Sequence, residues 1–154
     1  MDLKIQMMLI ALEEAEKAFA KGEVPVGAVI FTSQGKIISR AHNETISSQD
    51  VSGHAELIAI RRANAILGLH LNGCALATTL EPCIMCFGAI VLSRVSELCY
   101  ASPSQLYGAI SNHMVDELRY RHLKIFKNIL ADKSQLMLKR FFVSVREGKL
   151  IDEL

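Results

Sequence analysis

No stretch of this 154-residue chain approaches the roughly 20 consecutive apolar residues that a membrane helix needs. The N-terminus lacks the uninterrupted apolar core of a secretion signal, because Asp2, Glu13, Glu14 and Glu16 break it. The same acidity argues against an organelle transit peptide. Internal repeats, low-complexity tracts and linker-like stretches are also missing, so residues 1–154 are expected to form a single domain. Without an export signal, the closing Ile151-Asp152-Glu153-Leu154 has no meaning as a retention tetrapeptide. Four cysteines in such a chain point to a reducing compartment, the cytoplasm, and to thiolate chemistry instead of disulfides. Net charge is only +1, which by itself implies no polyanionic partner.

What is present is less even. Hydrophobic residues reach 51% and mean hydropathy is +0.27, rich for a small monomer; an oligomer burying a second apolar face would account for it. Charge is skewed along the chain. Between residues 119 and 149, Arg119, Arg121, Lys124, Lys127, Lys133, Lys139, Arg140, Arg146 and Lys149 stand against only Asp132 and Glu147, so this segment carries +7 and the remainder −6. That is either a phosphate-binding surface or a solvated helix face that happens to be basic.

Periodicity predicts a helix over 3–21 with Met8, Ala11, Leu12, Ala15 and Phe19 on one side, ended by Gly22. Strands are expected at 26–31 and 36–41 around a Thr32-Ser33-Gln34-Gly35 turn. A polar loop over 43–53 leads to a helix starting near His54, with Leu57, Ile58, Arg61 and Ala65 at helical spacing, closed between Gly68 and Gly73. Then come a strand at 74–79, a helix opened by Pro82 and running to Ser93, and a strand at 95–100. Residues 102–112 read as loop, 122–127 as a short strand, and 131–147 as a helix packing Leu136, Leu138, Phe141 and Val145 inward. Strands alternating with helices make this an α/β sandwich.

The residues that carry chemistry are His54-Ala55-Glu56 and Pro82-Cys83-Ile84-Met85-Cys86. One imidazole and two thiolates are three good zinc ligands, one short of a closed structural site, which leaves a position open for water. His54 and Glu56, two apart, point to nearly opposite sides of a helix; a metal shared with them must sit end-on, beyond the first turn. Cys83 and Cys86 straddle the next helix's first turn in the same way, and two helix N-termini aimed at one ion favour thiolate over thiol. Zinc with two thiolates is formally neutral and acidifies water less than a three-histidine site, where its pKa is about 7. A carboxylate outside the metal shell supplies the missing base, so Glu56 is expected to move the protons. Cys74 and Cys99 read as small core residues. His42, His70, His113 and His122 are expected at the surface or behind the ligands, with His70 as the rival ligand.

This H-x-E then P-C-x-x-C pattern resembles the signature of zinc-dependent base deaminases. Further blocks resemble bacterial tRNA-specific adenosine deaminases of the cytidine-deaminase superfamily: Gly22-Glu23-Val24-Pro25-Val26-Gly27-Ala28-Val29, His42-Asn43, Thr79-Leu80-Glu81 with Gly88-Ala89-Ile90, and Asn128-Ile129-Leu130-Ala131-Asp132 with Phe141-Phe142. The resemblance implies a three-layer α/β/α sandwich with a five-stranded mixed sheet, one zinc ion per chain, and a homodimer that acts on the tRNA anticodon loop. It implies hydrolytic conversion of adenosine to inosine at the wobble position. Asn43 would hold the flipped base, with Val26, Ala28 and the Leu80-Glu81 backbone lining its pocket. The chain departs from the family at Ala101-Ser102-Pro103-Ser104-Gln105-Leu106-Tyr107-Gly108 and at Asp50-Val51-Ser52-Gly53. These changes fall where RNA specificity would reside.

Two other readings compete. One is a deaminase of a free base or nucleoside such as guanine or cytosine, favoured by the altered 101–108 stretch. Against it, Leu80 stands where guanine deaminases tend to carry a cysteine. The other is a non-catalytic zinc module, in which a free carboxylate at Glu56 would serve no purpose.

Overall fold

The computed structural model describes residues 1–148; Lys149 and the closing tetrapeptide lie outside the described residues. Asp2 caps the first helix, α1 (Leu3–Ala20), by accepting a hydrogen bond from the Lys4 amide at 2.7 Å, and Gly22 at φ 75° turns the chain out of it. Strands β1 (Gly27–Thr32) and β2 (Ile37–His42) form an antiparallel hairpin whose turn uses Gly35 at φ 84°. Helix α2 (Ala55–Leu67), strand β3 (Cys74–Leu80), helix α3 (Ile84–Ser93) and strand β4 (Glu97–Ser102) follow. The chain then forms α4 (Glu117–Tyr120), β5 (Lys124–Phe126) and α5 (Ala131–Arg146).

The sheet order is β2-β1-β3-β4-β5, antiparallel across β2-β1-β3 and parallel across β3-β4-β5. Both faces are covered. On one side Ala28, Ile30, Leu76 and Leu98 pack with α2 and α3. On the other, Val29, Phe31, Ala77 and Cys99 pack with α1 and Met137 of α5. This is the expected three-layer sandwich with a mixed five-stranded sheet. Strand β1 is central, so its side chains are buried on both faces and read as a continuous apolar run. Gly27 lets α1 approach the sheet: a Cβ there would overlap the Ala11 carbonyl oxygen.

Several local expectations need correction. The buried side of α2 is Ala55, Glu56, Ala59, Ile60 and Ala63; Arg61 and Ala65 are exposed and Leu57 and Ile58 half-buried. Alanines let this helix lie close to the sheet, and close approach outweighed the larger residues' transfer energy. In α5 the inward residues are Ser134, Met137 and Phe141, whereas Leu136 is 58% exposed and Leu138 and Val145 are half-buried. The register follows Ser134, whose hydroxyl donates to the Thr79 carbonyl at 2.5 Å, and Phe141, which meets Phe19 edge-to-face. Pro82 does not open α3 but precedes its cap, Cys83. The fifth strand is three residues long, and α4 was not expected, being too short to show a helical period.

Candidate metal centre and active site

His54 is the N-cap residue of α2 and Cys83 the N-cap residue of α3, and neither side chain caps its own helix. Both are therefore free to reach beyond the first turn. They meet with Cys86, which sits inside the first turn of α3. The His54 Nδ1 lies 3.3 Å from Cys86 Sγ and 3.6 Å from Cys83 Sγ. An ion with bonds of about 2.0 Å to nitrogen and 2.3 Å to sulfur at tetrahedral angles would separate its N and S ligands by about 3.5 Å. The three donor atoms thus already stand at zinc-ligand spacing, and three protein ligands leave the fourth position open.

Electrostatics couple the same three residues, with Cys83 the one already shifted toward thiolate. Cys83 is held down at about 4, first by its hydrogen bond from Cys86 and then, against burial, by His54. Cys86 keeps the proton of the pair and is pushed up by that hydrogen bond and by burial. His54 is raised above its ordinary value, chiefly through its hydrogen bond with Cys83. Glu56, only 4% exposed, is raised by burial, opposed by the neighbouring imidazole. Its carboxylate stands against the Cys86 sulfur, beside the centre and outside the three-residue ligand group.

His70, the rival ligand, is elsewhere. It is exposed and lines an open groove of about 720 Å³ with Leu69, Asn72, Leu92, Arg94 and His122, at the far end of α3 from the cysteines. Grooves of that size do not mark the site here: neither this one nor the 380 Å³ depression around Lys4 and Cys74 includes a zinc-ligand residue. Cys74 and Cys99 are buried in the sheet, as expected.

Asn43 sits just after β2, 7% exposed, with its Nδ2 donating to the Val24 carbonyl at 3.4 Å and its Oδ1 lacking any partner among the described residues. Val26 and Ala28 belong to the core cluster that contains Ala55, on the α2 side of the sheet; Ala28 is fully shielded. Leu80 ends β3 half-buried, and the Glu81 amide donates to the Ser102 carbonyl at 2.8 Å.

Three supports were not foreseen. Glu23, fully buried, accepts from the Ile46 amide at 3.0 Å and the Ser47 amide at 2.7 Å, tethering the loop between Asn43 and His54. His42 is buried behind Asn43, donating from Nδ1 to the Asn43 carbonyl and accepting at Nε2 from Lys21, each at 3.1 Å. The Glu81 side chain turns away from the ligands and binds the segment after β4. Glu23 and Glu81 both lie in blocks that carry the family resemblance, but nothing in those blocks tells which amides their side chains meet.

Comparison with known proteins gives the same picture. The cytidine and deoxycytidylate deaminase zinc-binding region matches residues 1–102. A tRNA-specific adenosine deaminase of Aquifex aeolicus is 38% identical over 148 residues, spanning 94% of this chain and 97% of the relative. A solved chain from work on A-to-I editing by tRNA:A34 deaminases superposes with a TM-score of 0.78 at 33% identity, covering 86% of this chain and 98% of its own. The guanine deaminase of Nitrosomonas europaea superposes at 0.74 with 26% identity, covering 89% and 83%. This chain belongs to the cytidine and deoxycytidylate deaminase zinc-binding family, a zinc-dependent deaminase akin to the tRNA-specific adenosine deaminases.

Proposed function

We propose that the protein hydrolyses adenosine to inosine at the wobble position of tRNA anticodons, releasing ammonia. The observation that carries this is a three-ligand set, His54, Cys83 and Cys86, with the non-ligating carboxylate of Glu56 buried against it. When bound, zinc acidifies water and so supplies the nucleophile. Glu56 would take one proton from that water and pass it to the ring nitrogen beside the attacked carbon, then take the second from the hydroxyl now on that carbon and give it to the departing amine, which leaves as ammonia. Burial that raises the Glu56 carboxyl brings it nearer the neutral range where one group both takes and gives protons. The unpartnered Oδ1 of Asn43 is free to accept a hydrogen bond from a base edge, and Val26 and Leu80 supply apolar walls, with Ala28 packed beneath.

An unpaired anticodon base suits such a site, because it can be splayed out at little cost. Arg119, Arg121, Lys124, Lys127, Lys133, Lys139, Arg140 and Arg146 are all exposed, which supports phosphate contacts along α4, β5 and α5. Incubation with total tRNA and with a panel of free bases and nucleosides tests the assignment. Inosine in tRNA is expected. Affinity for tRNA should fall about 30-fold for a fourfold rise in salt if about three phosphates are neutralised. Ammonia from guanine or cytosine, no inosine and a flat salt response would replace it with the small-molecule reading.

The active form is a homodimer in this proposal. Ile84 and Leu92 are 48% and 77% exposed on one stripe of α3, and Ile66 on the adjoining α2 is 64% exposed, an apolar face that a second copy would cover. Leu92→Asp should turn a sedimenting dimer into a monomer with zinc retained; a variant that still sediments as a dimer puts the interface elsewhere. Among the described residues no helix is long and apolar enough to cross a membrane. The cytoplasm, where thiolate ligands stay reduced, is the compartment that fits.

A further inference from the structure

Glu81 stands two residues before the first thiolate ligand, is 3% exposed, and appears in no ion pair among the described residues. Its charge is met instead by the backbone of one distant segment. Oε1 accepts from the Ser104 amide at 3.1 Å and from the Ser111 hydroxyl. Oε2 accepts from the Ile110 amide at 3.0 Å and the Ser111 amide at 2.8 Å. The Ala109 amide donates to the Pro82 carbonyl at 3.0 Å, so the same segment is stitched to the turn that carries Cys83. Gly108 is shaped to this contact: a Cβ there would overlap the Glu81 carboxylate and the Ser104 carbonyl oxygen. Leu106 and Tyr107 project outward from the clamped segment, 73% and 67% exposed. A carboxylate accepting several amides in a buried site is a strong tether, because each charge-assisted bond exceeds a neutral one and a lost partner leaves the charge stranded.

We propose that Glu81 is a positioning residue that locks segment 104–111 against the zinc-binding turn, and that this lock sets the affinity for substrate. The segment then moves as one body with the ligands and offers Leu106 and Tyr107 at a fixed distance from the reacting base. The affinity half of this proposal rests on the tRNA reading above; the lock itself does not.

Two variants attack the same contact from opposite sides, Glu81→Gln and Gly108→Ala, with Ser111→Ala as a milder third should Gly108→Ala fail to fold. Each is measured for zinc per chain, for amide exchange at Ser104, Ile110 and Ser111, and for kcat and KM on an anticodon stem–loop. Exchange at those amides is expected to quicken, and KM to rise, at least about tenfold, the loss of one charge-assisted bond. Zinc content should hold, and kcat should stay within about threefold, the pattern of lost binding and not of lost chemistry. Unchanged exchange in Glu81→Gln would overturn the lock. A fall in kcat together with zinc, at unchanged KM, would make Glu81 a mere support of the metal turn and overturn the affinity half. Wild-type protein inert on every RNA would remove the tRNA reading and that half with it, while exchange, which needs no substrate, would still decide the lock.

Discussion

Glu56→Gln should keep about one zinc per chain and slow ammonia release by a hundredfold to ten-thousandfold, the range of a lost general acid–base. Glutamine preserves size and leaves the donor set of His54, Cys83 and Cys86 complete, but it can neither take a proton nor give one. The pH behaviour separates this from a packing defect. Burial raises the Glu56 carboxyl in the folded state, so folding favours its protonated form. Its favourable contribution is present in acid and is lost as pH rises through the raised value. Zinc-free Glu56→Gln should therefore match the wild type in acid and be the more stable protein at neutral pH, as read by urea denaturation. Turnover retained in the variant would remove Glu56 from the reaction.

Loss of a thiolate should be more severe. Cys86→Ala is expected to release the metal during dialysis, abolish activity, and lower apparent stability by about 4 kcal/mol where free zinc stands a thousandfold above the dissociation constant of the wild type. Cys86 is fully buried, with His54 Nδ1 at 3.3 Å and the Glu56 carboxylate also against it, so its removal opens a gap beside Glu56 and leaves His54 only Cys83. Chelation of wild-type protein should reproduce the activity loss, and added zinc should restore the wild type and not the variant. A variant with full zinc occupancy by elemental analysis would show that Cys86 is no ligand.

The candidate metal centre and its neighbouring carboxylate were readable because each pair of residues in it is local. One residue separates His54 from Glu56, two separate Cys83 from Cys86, and a helix N-terminus turns such spacings into convergence. The strands were readable because a central strand is apolar throughout, as β1 is. Helix faces were less so. In α2 the pattern pointed to Leu57, Ile58, Arg61 and Ala65, and the sheet took the alanine side; in α5 a serine won an inward place from Leu136 through one hydrogen bond to β3. Hydrophobic spacing reports that a helix has an apolar side but not how closely that side must approach its neighbour.

Family, metal centre and the carboxylate proposed for catalysis thus belonged to short motifs, whose geometry follows from a few consecutive dihedral angles. The walls around them did not. Glu81 meets partners 23, 29 and 30 residues away, and Glu23 meets partners 23 and 24 residues away. Only the packed sheet could bring these groups together, since a buried charge finds its amides through tertiary contacts that no local pattern encodes.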